Sequence, residues 1–251
     1  MNGADCEIIS LVDSWLAPRI KADARGWLAE VVARASSGGT SGQRALFIAF
    51  GQASRRCGKD ELALPAVELA AASRCVPGWD PSRWSVDQTV RTRLVLALPA
   101  ADAPDWLATL DSLFAAAGLE ELVALYQALP LLPHGDLLAP RVAEGVRSNM
   151  KAVFTAVALD NPAPAAWLDE GAWNQLVLKA LFVGSPVARI VRLDRRGNPR
   201  LAQMLIDYAR ERIAAKRPVP LDLWDAARPG CTPAQRADID QLQASVTPIP
   251  A

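Results

Sequence analysis

Apolar residues along this chain recur at intervals of three and four, and the alternation that a half-buried strand needs is almost absent; alanine and leucine dominate. That period predicts an all-α fold. Helices are predicted near 4–16, 20–35, 43–57, 64–75, 82–97, 104–117, 119–129, 136–146, 148–159, 167–183, 199–216 and 233–244. Asp80-Pro81, Asn198-Pro199 and Thr232-Pro233 each set an N-cap residue before a proline suited to the first helical position, and Thr232 with Gln235 reads as a capping box. Between 82 and 183 short turns bearing Pro or Gly, such as Pro130 to Gly135, give the rhythm of stacked antiparallel hairpins. A HEAT-like α-α superhelix fits the segment lengths, although no sequence repeat accompanies them. The run SSGGTSG at 36–42 is the one flexible-looking linker. It is expected to be a surface loop, because the 35 residues before it are too few to bury a core of their own. The expectation is a single all-helical domain over 1–251, ending in a tail at about 245–251.

Composition narrows the function. A hydrophobic fraction of 51% over 251 residues is ample for a packed core. Lys plus Arg and Asp plus Glu both total 27, which is not the basic footprint of a nucleic-acid or membrane-surface binder. Cys6, Cys57, Cys75 and Cys231 show no CxxC pairing, so neither a zinc site nor a disulfide framework is expected and reduced cytoplasmic thiols fit best. The first residues, MNGADCEIISLVDSW, lack a basic leader, and no 18 apolar residues run together; neither an export signal nor a membrane span is expected.

Polar residues set on apolar helical faces concentrate between 148 and 224. On the helix predicted at 167–183, Trp173, Leu176, Val177, Ala180 and Leu181 cover most of the circumference, with Asn174 among them and Lys179 near Gln175. Lys179 reads either as a stem reaching for solvent or as an anion-binding group. On 199–216, Arg212 is placed on the stripe of Leu201, Met204, Leu205 and Tyr208, with Asp207 and Glu211 one turn apart along its edge. Such a pair can arrange acid and base, or form a structural ion-pair network with Lys179 or Arg212. The loop 184–199 carries four arginines and Asp194, which is expected to tie it to Arg189, Arg192 or Arg196. Asn149 and Asn161 read as caps or as pocket donors. His134, the only histidine, is expected in an exposed turn, and with one histidine a catalytic triad or multi-histidine metal site has little support. No GxSxG, GxxxxGK[ST] or GxGxxG motif is present, so no catalytic residue, metal or cofactor is assigned.

The runs NMKAVFTAVALDNPAP, AWNQLVLKALFVGSP, LDRRGNPRLAQMLIDYARER and RPVPLDLW, in this order over about 149–224, resemble the signature of the EboA family. The resemblance implies an all-helical, cytosolic bacterial protein without an agreed activity. Its genes lie beside others that look like a prenyltransferase, a sugar-phosphate cyclase, TIM-barrel enzymes and a phosphatase-like hydrolase, in clusters linked to assembling secondary metabolites or moving them toward the periplasm. Carried over by position, the family's polar signature falls on Asn149, Asn161, Trp173, Asn174, Gln175, Lys179, Asp194, Asn198, Asp207, Tyr208, Glu211 and Trp224. This chain departs from it at Ala163, where NPYP is usual, and at Arg210 and Ile213, where YAHERW is usual. Arg210 cannot replace a histidine as metal ligand or proton shuttle. The reading that follows is a non-catalytic adaptor or small-molecule binding protein for secondary-metabolite assembly or export. Its ligand site would be Asn174, Lys179, Asp207, Tyr208, Glu211 and Arg212, and its partners a metabolite and other proteins of the cluster. The alternative is an enzyme acting on a phosphorylated or polyol-like intermediate, with Lys179 and Arg212 holding the anion and Asp207 or Glu211 as acid-base; it requires one of those carboxylates to face an enclosed cavity. A third reading is a structural scaffold whose polar residues hold adjacent helices in register; the eight tryptophans, Trp79, Trp84 and Trp106 among them, fit a core or a partner interface equally.

Overall fold

The computed structural model describes residues 3–245, with side-chain surroundings from Glu7 onward. The tail expected from about 245 lies outside the described residues. The fold is all-α, with no strand or sheet among the described residues and a single antiparallel bridge between Glu61 and Ser85. Packing divides the chain into two compact units, one ending at Val157 and the other beginning at Ala158. The first holds α1 (Gly3–Leu16), α2 (Ala22–Ser36), α3 (Gly39–Cys57), α4 (Ala66–Cys75), α5 (Val86–Val95), α6 (Ala103–Ala116), α7 (Leu119–Ala128), α8 (Ala139–Arg147) and α9 (Lys151–Ala158). The second holds α10 (Ala163–Trp167), α11 (Glu170–Phe182), α12 (Pro199–Ala214), α13 (Asp222–Ala227) and α14 (Pro233–Ser245).

Two start signals behave as the sequence predicts. Asn198 Oδ1 accepts from Leu201 N at 2.8 Å, and Thr232 and Gln235 exchange both bonds of a capping box. The third does not. Asp80 closes a turn by accepting from Ser82 N at 2.9 Å, and the helix waits for Ser85, whose N–H donates to Gln88 Oε1 at 2.9 Å. The linker expected at 36–42 is not a loop: α3 starts at Gly39. Gly42 serves a close approach, because a Cβ there would stand 2.6 Å from the Arg34 carbonyl oxygen of α2. The helix predicted at 167–183 begins at Glu170, capped by Asp169 accepting from Ala172 N at 2.7 Å. α10 and α13 were not foreseen; five and six residues are too short to show a helical period.

The first unit is arranged around α5, which packs against α1, α2, α3 and α7. A solenoid, whose repeats meet only their neighbours, has no such hub. α5 is buried on nearly all sides, yet it carries Asp87, Thr89, Arg91 and Thr92 into the interior. Each is satisfied from within. Thr89 and Thr92 donate to the carbonyls of Ser85 and Gln88, one turn back. Arg91 pairs with Asp87 at 2.5 Å, with side chains 3% and 5% exposed, and its other nitrogens donate to the Phe50 carbonyl and Ser54 Oγ of α3. Elsewhere in this core Trp15, Trp79 and Trp84 meet in a chain of tilted ring contacts, with centres 5.5 and 5.6 Å apart. Trp79, Trp84 and Trp106 are core residues rather than partner anchors.

Burial alone would raise the Asp87 carboxyl, but hydrogen bonds from Ser85, Ser54 and Arg91 overcome it and hold the group below the usual carboxylate range. A carboxyl depressed in the folded state adds stability above its unfolded pKa, and that stability is lost as pH falls through the folded value. Asp87→Asn should therefore flatten the fall in stability below about pH 4. Arg91→Leu, which leaves a buried carboxylate uncompensated, should cost about 3–5 kcal/mol at neutral pH. Urea titrations between pH 3 and 7 measure both.

Candidate functional site

The polar residues predicted between 149 and 224 do not converge on one pocket. At one end of the α11–α12 pair, Asn174, 1% exposed, and Asn198 exchange both amide hydrogen bonds, at 3.2 and 2.9 Å. Asn198 thus caps α12 and anchors α11 with the same side chain. The Arg196 guanidinium lies 4.7 Å over the ring of buried Trp173 and donates to the carbonyls of Pro164, Ala165 and Leu168, closing the end of α10. Asn161 Oδ1 accepts from Ala163 N at 3.0 Å, a turn-capping bond. At the other end of the pair, Phe182 meets Tyr208 with ring centres 4.8 Å apart. The two helices therefore run in the same sense, and the segment 183–198 carries the chain back. Tyr208 OH takes a bond from Arg212 Nη1 at 3.2 Å, and Arg212 Nε donates to the Pro218 carbonyl at 2.5 Å. Arg212 fastens the turn after α12.

The remaining predicted residues differ in exposure. Asp207 and Glu211 are both exposed; Asp207 bonds Gln203 and Arg210 on its own helix. Their rotation on α12 gives its buried face to Leu201, Leu205 and Tyr208, so the carboxylates turn outward. Neither meets the enclosed-cavity condition for a general base, and the acid-base alternative loses its geometry. Lys179 is partly buried on α11, which pulls its ammonium below the usual lysine range. Asn149, Gln175 and Asp194 are exposed, and Trp224 is buried on α13. Asp194 does not tie the arginine loop down. Arg189 instead grips both oxygens of the Asp160 carboxylate. Gly197 packs its backbone directly on the Pro229-Gly230 turn, where a Cβ would fall 1.7 Å from the Pro229 carbonyl oxygen.

The first unit offers space for a ligand. A cavity of ≈ 720 Å³ opens at the C-terminal end of α5, bounded by Ile9 of α1, Ser36 of α2, the loop 96–101 and His134. A second, of ≈ 340 Å³, runs between α1 and α2 along Leu16, Ile20, Leu28 and Val32. Arg93 lines both, and its Nε donates to Asp13 at 2.7 Å. His134 is not the exposed turn residue expected. In a left-handed backbone conformation, φ 54°, its half-buried ring packs edge-on to Trp106 at 5.4 Å, with Nε2 2.8 Å from the Ala100 carbonyl. A carbonyl can only accept, so Nε2 donates. The sequence offered one sign of this space: LALPAADAP, where small side chains in a loop leave volume unfilled. It gave no sign that Arg91 is fully engaged and Arg93 is not.

The chain matches the family model described as "Metabolite traffic protein EboA" over residues 8–228, and it belongs to that family. The match takes in both units, well beyond the run that carries the resemblance in the sequence. Comparison with curated proteins and with solved structures gives no match. Among the described residues no helix is long and apolar enough to cross a membrane.

Asn198→Ala should cost about 2–4 kcal/mol, since it removes a helix cap and leaves the buried Asn174 amide without its partner. Glu211→Ala should stay within about 0.5 kcal/mol. Thermal and urea denaturation of the two variants separate the structural polar residues from the solvent-facing ones.

Proposed function

We propose that this protein is a non-catalytic metabolite-binding protein whose ligand occupies the ≈ 720 Å³ cavity at the end of α5. The observation that carries the reading is that cavity. Its volume lies within the range of about 300–1,000 Å³ typical of small-molecule sites, and its lining is apolar apart from Arg93, Ser36 and His134. The family's description as a metabolite traffic protein agrees with such a role. In this reading the chain works as one domain in the bacterial cytoplasm, beside other proteins of its gene cluster, and holds an intermediate of secondary-metabolite assembly or export. The polar residues of the second unit keep its helices in register.

A neutral solvatochromic dye, Nile red, tests the cavity. The wild-type protein should bind it with a saturable blue shift, and Ala100→Trp, which projects an indole into the space while sparing the carbonyl that holds His134, should weaken binding at least ten-fold with an unchanged circular dichroism spectrum. Equal titration of the two proteins, or no saturable binding by the wild type, would remove the proposal.

A further inference from the structure

We infer that the cavity at the end of α5 selects an anionic amphiphile, with a carboxylate or phosphate head on Arg93, where the groove between α1 and α2 adjoins, and an apolar body in the cavity. The inference rests on the reading that the first unit binds a small molecule, and it adds the chemistry of that molecule.

Two arginines of α5 stand two residues apart and differ in how their donors are used. Arg91 spends Nε, Nη1 and Nη2 on the Phe50 carbonyl, Asp87 and Ser54. Arg93 is also largely enclosed, its side chain 12% exposed, but only Nε is engaged, with Asp13. Its two terminal nitrogens have no partner among the described residues. These nitrogens are not sealed off and so stay open to a ligand, and the planar fork is suited to two oxygens of one carboxylate or phosphate. Arg93 borders both cavities, so an anion there would have apolar surface beside it: Leu16, Ile20, Leu28 and Val32 on one side and the α5 cavity on the other. Arg25, the other arginine of the groove, is exposed, with its Nη1 on the Ala17 carbonyl at 2.5 Å. Asp13, half exposed, is then a resident counter-ion that a ligand headgroup joins or displaces.

Calorimetric titration of the full chain with decanoate, decyl phosphate, decanol and inorganic phosphate tests this. Decanoate or decyl phosphate should bind at least ten-fold more tightly than decanol, and inorganic phosphate alone should give no heat of binding; whichever of the two amphiphiles binds better identifies the headgroup. Arg93→Gln should bring the anions down to the level of decanol, and Arg93→Lys should keep part of the preference. Asp13→Asn breaks the same ion pair, but it should tighten decanoate binding several-fold by removing a competing carboxylate. That opposite sign separates anion recognition from a general loss of structure. Equal binding of decanol and decanoate, an unchanged preference in Arg93→Gln, or binding of inorganic phosphate as tight as that of decyl phosphate would overturn the inference. Nile red binding without any preference among the probes removes the anion site alone, whereas failure of Nile red and all probes removes the binding reading with it.

Discussion

The ion pair between Asp87 and Arg91 is the constraint on which the first unit depends. A buried charge cannot be left with one partner missing, so the side chains that satisfy it must stand in fixed positions: Ser85 at the start of α5, and Phe50 and Ser54 on α3. This fixes the rotation of α5 about its axis. Arg93, about 200° further around, then faces away from α3 and toward Asp13 of α1. The location of the open guanidinium follows from the location of the closed one.

The two units solve the same problem with different chemistry. Around α5 a charged pair sets register, and its hydrogen bonds are directional enough to hold one arrangement among many apolar ones. Between α11 and α12 a neutral amide pair does so, and a guanidinium over an indole closes the neighbouring helix end. A neutral pair carries a smaller desolvation penalty, which suits a smaller unit with less apolar surface to offset it.

Much of the fold is legible in the sequence because helical period and capping chemistry are local. The start of α12 at Asn198-Pro199 and the box at Thr232 are read from four residues each. The parts that mislead are decided at a distance. VDQTVRTRLV reads only as a helix, since nothing in ten residues reveals that Phe50 and Ser54 will receive the Arg91 guanidinium. SSGGTSG looks like a linker until α2 is packed against it. At the candidate site, residue types on 149–224 were read as a pocket because polar groups on apolar faces need partners. The partners exist, but they are mostly one another and nearby carbonyls. The space itself is made by what is small or missing, alanines and a loop, and absence of volume leaves only a faint mark in a sequence.

The contact between Gly197 and the Pro229-Gly230 turn ties the brace to a distant part of the sequence. Two main chains touch there with no side chain between them, and Gly230 adopts φ +94°, a backbone conformation that favours glycine. A side chain at Gly197 or Gly230 would push the loop that presents Asn198 off this turn. The pairing of α11 with α12 is thus exposed to substitutions at two positions that belong to neither helix.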